Sequence, residues 1–268
     1  MQTSSNKNNE KILIDGIPYF DENTCRIMAG PCAVESRDQI LFTAEGLAKM
    51  GITIFRAGTF KPRTDPKTYQ GARELGLKWL EEVRDEFGMK IITETSDMTN
   101  FDAVEKSTDI IQIGAKSMYN TALLSAAGKS DKPVMLKRHF GATVAEFLKL
   151  SEYIVQEGNS KIMLCERGIR TFETSTRFTL DLCGAAVIQE KTKYPLIIDP
   201  SHSMGYSYGV PKITKAAVAF GCNGLLIEVH HNPSEARCDK EQAIDLEQFK
   251  QLYQQLKQIG EVVGKRVI

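Results

Sequence analysis

Residues 195–229 read PLIIDPSHSMGYSYGVPKITKAAVAFGCNGLLIEV, and this stretch decides the fold. It opens with a short apolar run at 195–199, continues through a helical pattern at 212–220 and ends in a second apolar run at 224–229. Gly221 falls where the helix must stop before the next strand, as a C-terminal helix cap does. Short, continuously apolar strands on either side of a helix indicate a parallel sheet that is buried on both faces.

The same strand and helix pattern extends back to residue 25. The predicted strands are 26–29, 53–57, 90–94, 110–114, 133–137, 161–165, 195–199 and 224–229. Helical patterns fall at 38–50, 75–87, 144–157, 177–190, 212–220 and 246–259, and further helix-ending glycines are Gly51, Gly88 and Gly158. Eight units in about 250 residues predict an α/β fold of the (β/α)8 TIM barrel type. A doubly wound open sheet is the alternative, but no G-x-G-x-x-G turn follows the first strand.

Length and composition indicate one main domain. The chain has 268 residues, of which 42% are hydrophobic and 25% charged, and its formal net charge is zero, which disfavours a nucleic-acid binder. Residues 11–20, centred on Asp15-Gly16, predict a β-hairpin. We therefore expect an N-terminal extension with this hairpin at 1–24 and a single catalytic barrel domain at 25–268.

The cellular location is predicted from what the sequence lacks. No apolar run approaches the roughly 20 residues that span a bilayer, and the polar start at 1–10 has no signal-peptide core. The six cysteines are scattered, a usage typical of reduced thiols. These observations predict a cytoplasmic protein with no membrane partner.

Cations gather at the predicted strand ends, where a barrel of this type builds its active site. The loop at 56–64 reads RAGTFKPRT, and arginine forks beside a lysine suit phosphate or carboxylate groups. On this loop alone, a solvated basic segment is an equal alternative. The cations expected to converge on one mouth are Arg56, Lys61, Arg63, Lys116, Lys137, Arg167 and Arg170. So much positive charge predicts an anionic substrate.

A second group of strand-end residues mixes soft and hard donors. Cys32, His202, Glu228 and Asp239 could close on a divalent metal if the barrel brings them together. Cys32 alone could be a buried thiol, and His202 could cap a helix or bond a backbone carbonyl. Glu228 lies inside an apolar strand, where a carboxylate costs free energy unless it is paired or ligated.

Six motifs, in this order, match a known family. They are AGPCAVES (29–36), KPRT (61–64), LKR (136–138), CERGIRTFE (165–173), DPSH (199–202) and IEVH (227–230). Together they resemble 3-deoxy-D-arabino-heptulosonate 7-phosphate (DAHP) synthase of the short bacterial type Iβ, over nearly all of the chain from about residue 25. The resemblance implies a (β/α)8 barrel that condenses phosphoenolpyruvate with erythrose 4-phosphate and releases phosphate. That reaction is the first step of the shikimate pathway to aromatic amino acids.

The resemblance also implies roles for individual residues. The implied metal ligands are Cys32, His202, Glu228 and Asp239, for Mn²⁺ first, with Fe²⁺, Co²⁺ or Zn²⁺ as alternatives. The implied phosphoenolpyruvate ligands are Arg56, Lys61, Lys116, Lys137 and Arg167, and those for the phosphate of erythrose 4-phosphate are Arg63 and Thr64. The implied catalytic residues are Lys61, Lys137 and His202. The family also suggests a homotetramer, or else a homodimer.

Three departures from the family pattern bear on substrate binding. Lys116 stands where an Arg is usual, Ser203-Met204-Gly205 replaces Gly-Thr-Gly, and Lys240-Glu241 replaces Gly-Pro after the last presumed metal ligand. The front of the chain also lacks room for the regulatory or chorismate mutase domain of many relatives. We therefore expect no direct feedback inhibition by phenylalanine or tyrosine.

Two alternative functions stay open. 3-Deoxy-D-manno-octulosonate 8-phosphate synthase uses the same barrel and phosphoenolpyruvate chemistry with arabinose 5-phosphate, but normally carries Asp-Lys-Ala-Asn-Arg where this chain has the KPRT motif. A non-catalytic paralogue acting as a binding partner is the other alternative. The presence of all four presumed metal ligands argues against it.

Overall fold

The described chain begins with a small antiparallel hairpin. The computed structural model describes residues 12–14, 17–61, 65 and 67–268, with the backbone alone for 17 and 18. The hairpin strands are β1 (Ile12–Ile14) and β2 (Ile17–Phe20), as predicted. Asp15 and Gly16 of the predicted turn lie outside the described residues.

A closed parallel barrel follows the hairpin. Within the described residues its eight strands are β3 (Thr24–Gly30), β4 (Ile54–Arg56), β5 (Lys90–Thr95), β6 (Ile110–Ile113), β7 (Val134–Lys137), β8 (Ile162–Glu166), β9 (Leu196–Ile198) and β10 (Gly224–Glu228). Each strand pairs with the next, and β10 pairs with β3 to close the ring. The predicted (β/α)8 TIM barrel is confirmed and the open-sheet alternative is wrong. An unpredicted strand, β11 (Arg266–Val267), pairs with the start of β3.

Helices surround the barrel. In the described chain they are α1 (Arg37–Lys49), α2 (Arg73–Phe87), α3 (Met98–Ser107), α4 (Thr121–Lys129), α5 (Val144–Gln156), α6 (Leu182–Lys191), α7 (Pro200–Met204), α8 (Val210–Phe220) and α9 (Leu246–Val262). Among these helices, none is both long and apolar enough to cross a bilayer. The helices α3, α4 and α7 were not predicted.

The predicted helix at 177–190 begins five residues too early. Helix α6 starts at Leu182 because Asp181 caps it, accepting a hydrogen bond from the backbone N–H of Gly184 at 2.7 Å. The residues before the cap pair elsewhere, since the N–H of Phe178 donates to the carbonyl of Ser203 at 2.9 Å. The segment around Arg177 is thereby held as a loop over the mouth of the barrel.

The four glycines predicted to end helices do so. Gly51, Gly88, Gly158 and Gly221 directly follow the ends of α1, α2, α5 and α8 or close their last turn, with φ of 84°, 65°, 111° and 90°. These left-handed conformations cost a glycine little and a residue with a Cβ more. Each of these positions sends the chain toward the next barrel strand.

The hairpin covers the end of the barrel where the strands begin. Ile12, Ile14 and Phe20 pack with the inward side chains of the barrel strands, among them Met28 and Leu226. Phe20 is fully buried, and burial of a phenylalanine side chain stabilises the fold by about 1.5–3 kcal/mol. The opposite end of the barrel remains open to ligands.

The barrel closes between its first and last strands. The pairing of β10 with β3 sets Glu228 opposite Gly30. Gly30 has φ of 149°, and a Cβ there would lie 2.3 Å from the carbonyl oxygen of Arg56. Only glycine therefore fits at the end of β3, directly before the loop that carries Cys32.

Candidate active site

The open end of the barrel holds a polar pocket. Residues from the ends of β4, β5, β6, β7, β8 and β9, and from the loop after β10, line it: Lys61, Glu94, Gly114, Ala115, Lys116, Lys137, Phe140, Arg167, Arg177, Phe178, His202 and Asp239. Of the seven cations predicted to converge at the strand ends, four line this pocket: Lys61, Lys116, Lys137 and Arg167. Strand ends on one side of a parallel barrel meet in this way because all eight strands point in one direction.

The four presumed metal ligands meet beside this pocket. Cys32, His202, Glu228 and Asp239 each offer one ligand atom, and these atoms lie within 4.8 Å of one another. Cys32 follows β3, His202 lies in α7 after β9, and Glu228 ends β10. Asp239, in the loop beyond β10, has a left-handed φ of 52°. A thiol, an imidazole and two carboxylates form a donor set that fits a divalent transition metal.

His202 is oriented by a buried carboxylate. Asp199 caps α7 by accepting a hydrogen bond from the His202 backbone N–H at 2.9 Å, and its Oδ2 lies 2.8 Å from Nδ1 of the same residue. The other ring nitrogen, Nε2, lies 3.3 Å from Oε1 of Glu228. Burial lowers the pKa of His202, and the two carboxylates oppose this shift.

Asp199 also fixes a cation. Its Oδ2 accepts a hydrogen bond from Nζ of Lys137 at 2.5 Å, and both side chains are buried. Burial would raise the pKa of Asp199, but His202 and Lys137 hold it well below its ordinary value. The Asp199 carboxylate thus links His202, one of the four presumed metal ligands, to the cationic pocket.

Each carboxylate oxygen of Glu228 has a hydrogen-bond donor close to it. Its Oε1 lies 3.0 Å from Nη1 of Arg56, and its Oε2 accepts a hydrogen bond from Nε2 of Gln242 at 2.6 Å. Burial opposes ionisation, but His202 and Arg56 lower the pKa of Glu228 overall. Arg56 is itself buried and also donates to the carbonyl of Pro31, so its assignment to phosphoenolpyruvate stays a prediction.

Cys32 has two close neighbours besides Asp239. Its Sγ lies 3.0 Å from Sγ of Cys238 and accepts a hydrogen bond from Nζ of Lys61 at 3.1 Å. The contact with Cys32 lowers the pKa of Cys238 to about 7. Burial opposes the charge on Lys61, but Cys32 and Cys238 raise its pKa, so Lys61 remains a cation.

Arg167 presents an unused donor to the pocket. Its guanidinium lies over the ring of Phe178 at 4.2 Å, and its Nη1 is buried without a hydrogen-bond partner in the described chain. An unpaired buried charge is costly, and burial lowers the pKa of Arg167. Such a group, next to Lys116 and Lys137 in the same pocket, is suited to receive an anion.

Some of the predicted cations and ligands are not among the residues that line the pocket in the described chain. Arg170, expected at the mouth, is not itself among the residues that line the pocket, but its guanidinium lies 4.7 Å from the ring of Phe140, which does line it. Arg63 and Thr64, the predicted ligands of the sugar phosphate, lie outside the described residues.

Among the site residues that were not predicted from the sequence are Arg177 and Gln242. Arg177 was assigned to a helix, but its Nη1 lies 3.1 Å from Oδ2 of Asp239 and donates to Oε1 of Gln242 at 2.6 Å. Gln242 had no role in the sequence reading, since no motif includes it. The one local signal was the position of Gln242, three residues after a presumed ligand.

The fold and the site define a class of protein. It is a (β/α)8-barrel enzyme with a cationic pocket beside a Cys/His/carboxylate cluster. The family model described as the DAHP synthetase I family matches residues 6–265. The chain therefore belongs to the DAHP synthetase I family.

Individual relatives agree with this assignment. The chain is 45% identical over 241 residues to the phospho-2-dehydro-3-deoxyheptonate aldolase of Thermotoga maritima, covering 90% of this chain and 71% of that protein. The crystal structure of the Thermotoga maritima DAHP synthase superposes with a TM-score of 0.93 at 41% identity, covering 97% and 76% of the two chains. A 2-dehydro-3-deoxyphosphooctonate aldolase from Acidithiobacillus ferrooxidans is 31% identical over 264 residues, covering 92% and 91%. The predicted resemblance to DAHP synthases is confirmed, and the octonate alternative is less favoured.

Proposed function

We propose that this chain condenses phosphoenolpyruvate with erythrose 4-phosphate to give DAHP and inorganic phosphate. One observation carries the proposal: Arg167, whose buried Nη1 has no hydrogen-bond partner in the described chain, lines a pocket with lysines directly beside the four presumed metal ligands. The pocket offers positive charge to a small substrate that carries both a carboxylate and a phosphate. A divalent metal held by the adjoining cluster would supply the electrophilic assistance that a weak carbon nucleophile needs.

In this proposal Cys32, His202, Glu228 and Asp239 hold a divalent metal. Their donor set suits Mn²⁺, which we propose first, and also Fe²⁺, Co²⁺ or Zn²⁺. When bound, the metal would act as a Lewis acid that polarises the aldehyde of the sugar. Asp199 keeps His202 oriented for ligation, as outer carboxylates do for metal-binding histidines.

The cations bind and orient phosphoenolpyruvate. Lys116, Lys137 and Arg167 neutralise its carboxylate and phosphate and direct C3 toward the aldehyde carbon. Carbon–carbon bond formation leaves C2 electron-poor, water then adds at C2, and phosphate leaves. Lys61 remains protonated beside Cys32, so we propose it as a cation or proton donor.

The choice of aldose is proposed to rest on Arg63 and Thr64. The KPRT motif at 61–64 that carries them differs from the Asp-Lys-Ala-Asn-Arg sequence of the octonate enzymes, which favours the four-carbon sugar. An arginine fork with a hydroxyl suits a terminal phosphate. Lys116, in place of the usual Arg, supplies a point charge where relatives have a fork.

A phosphate-release assay tests the proposed function. Metal-free protein would be supplied with Mn²⁺ and phosphoenolpyruvate, and with erythrose 4-phosphate or arabinose 5-phosphate in parallel. We expect rapid release with the four-carbon sugar, loss of activity in EDTA and recovery with Mn²⁺. A preference for arabinose 5-phosphate would support the octonate reaction, and no turnover with either sugar would support a non-catalytic paralogue.

The cytoplasmic location, the domain boundary at residue 25 and the assembly belong to the same proposal. We propose a homotetramer, with a homodimer as the alternative, on the family resemblance. Light scattering coupled to size-exclusion chromatography would measure the mass in solution against 29.9 kDa for one chain. A monomeric mass would contradict both assemblies.

A further inference from the structure

We propose that Arg177 and Gln242 are positioning residues that hold the two carboxylate ligands of the metal cluster. Neither residue is a member of the donor set. Both contact it: Gln242 donates to Glu228 at 2.6 Å, and Arg177 lies 3.1 Å from Asp239. The inference rests on the metal site of the proposed function and concerns what keeps that site in shape.

The orientation of the Gln242 amide follows from its neighbours. On one side Nη1 of Arg177 donates to Oε1 at 2.6 Å, and an arginine can only donate. On the other side Oε2 of Glu228 lies 2.6 Å from the amide, and a carboxylate oxygen accepts hydrogen bonds. The amide oxygen must therefore face Arg177 and the amide nitrogen must face Glu228, so that the three groups form one directed chain.

This chain of hydrogen bonds occupies one carboxylate oxygen of Glu228. Its Oε2 is held by Gln242, whereas Oε1 lies on the side of His202, 3.3 Å from Nε2. Gln242 is 1% exposed, so water does not compete for the hydrogen bond. Without the amide, a buried carboxylate oxygen would lose its donor and the side chain could rotate away from the cluster.

Arg177 holds the second carboxylate with the same nitrogen. The Nη1 atom that contacts Gln242 is also 3.1 Å from Oδ2 of Asp239. The backbone adds a further link, because the N–H of Gln242 donates to the carbonyl of Asp239 at 3.1 Å. Glu228 and Asp239, which come from a strand and from the loop beyond it, are thereby fixed to each other.

Titrating Mn²⁺ into metal-free protein without substrates tests the inference. We expect Gln242→Met, which keeps the side-chain volume and removes both polar groups, to raise the Kd for Mn²⁺ by about 10–100-fold. Arg177→Met should have an effect of the same order, and the double variant should lose less than the product of the two single losses, because both act through one chain. Isothermal calorimetry reads these values independently of catalysis.

Controls separate positioning from folding. Arg37→Met removes an exposed arginine whose ion pair with Glu82 lies on the helices, and its Kd should equal that of the wild type. Arg177 is 38% exposed, so Arg177→Met should fold even if Gln242→Met does not. Urea unfolding of the metal-free proteins shows whether each variant is folded.

The outcomes distinguish this inference from the proposed function. Wild-type protein that binds none of Mn²⁺, Fe²⁺, Co²⁺ and Zn²⁺ would overturn the proposed function and this inference with it; if the wild type binds one of the other ions instead of Mn²⁺, the same titrations are made with that ion. Wild-type protein that binds Mn²⁺, with folded variants whose Kd changes by less than tenfold, would overturn the inference alone. A tenfold or larger rise in the folded variants supports it.

Discussion

The two ends of the barrel are built from the same eight strands of the described chain and meet opposite requirements. At the closed end, the hairpin and inward side chains such as Met28, Ile92 and Leu226 form one apolar cluster. At the mouth, the same strands end in buried ion pairs, including that of Lys137 with Asp199. Apolar burial stabilises a fold without needing partners, whereas each buried charge needs one. This barrel therefore gains its stability at the closed end and holds at the mouth buried charges whose desolvation costs free energy.

The largest expected effect concerns the closed end. Phe20→Ala removes a fully buried ring from the apolar cluster and should lower the free energy of unfolding by about 3–5 kcal/mol. The mouth is untouched, so kcat/KM should stay at the wild-type value at temperatures where the variant is folded. Urea denaturation and the phosphate-release assay measure the two quantities.

A matched control lies in the same hairpin. Leu13 is 43% exposed and points away from the cluster, so Leu13→Ala should cost less than about 0.5 kcal/mol. Equal losses in the two variants would mean that the hairpin does not act as a packed cover.

At the mouth we expect the opposite result, a large loss of activity with little loss of stability. Arg167→Met should lower kcat/KM for phosphoenolpyruvate by about 10²–10³-fold, since in the proposed function it removes a donor that binds this substrate. Stability should stay within about 1 kcal/mol of the wild type or rise, because the lost Nη1 has no partner in the described chain and the stacking on Phe178 contributes little.

The control for this variant is three residues further on. Arg170→Met removes a guanidinium that stacks on Phe140, and we expect kcat/KM within about threefold of the wild type. If Arg170→Met were as inactive as Arg167→Met, the pocket would extend further than its lining residues indicate.

Acid should lower the stability of the fold through His230. This residue is 2% exposed, and burial, with the neighbouring His231, lowers its pKa to about 4. Between pH 6.5 and pH 4 the unfolded chain binds a proton that the folded chain does not, so stability falls as the pH drops, by up to about 3 kcal/mol. Urea denaturation across this range, without added metal, should show a shallower fall for His230→Asn. The same slope in both proteins would assign the acid sensitivity to other groups.

The smallest effect is expected at Lys116, which lines the pocket with Arg167. Lys116→Arg would restore the fork that the family usually has, and a bidentate contact adds about 1 kcal/mol over a point charge. The KM for phosphoenolpyruvate should therefore fall about fivefold or less, with kcat little changed. A higher KM in steady-state assays would mean that the pocket is shaped for lysine.

The sequence predicted what local pattern determines. The eight strands were predicted because each is a short apolar run. The ends of four helices were predicted because a glycine with positive φ turns the chain there: Gly51, Gly88, Gly158 and Gly221. Helices α3 and α4 were missed because they are short, with 10 and 9 residues, and give the 3.6-residue period fewer than three turns in which to show.

The residues of the candidate site also differ in whether the sequence could predict them. Cys32, His202, Glu228 and Asp239 could be predicted because they follow or end barrel strands, where the fold itself brings residues together. Arg177 and Gln242 could not, since their roles depend on how two loops over the mouth meet. The proximity of Cys238 to Cys32 is likewise a tertiary contact that leaves no local pattern.

The pairing of Glu228 with Gly30 has a consequence for how the barrel closes during folding. Cys32 comes from the beginning of the barrel, whereas Glu228 and Asp239 come from its last strand and the loop beyond, so the cluster straddles the seam. A chain that has not yet closed this seam has no complete site. A metal that binds only the closed ring shifts the equilibrium toward closure by mass action, so it would serve as a clasp at the last step of assembly.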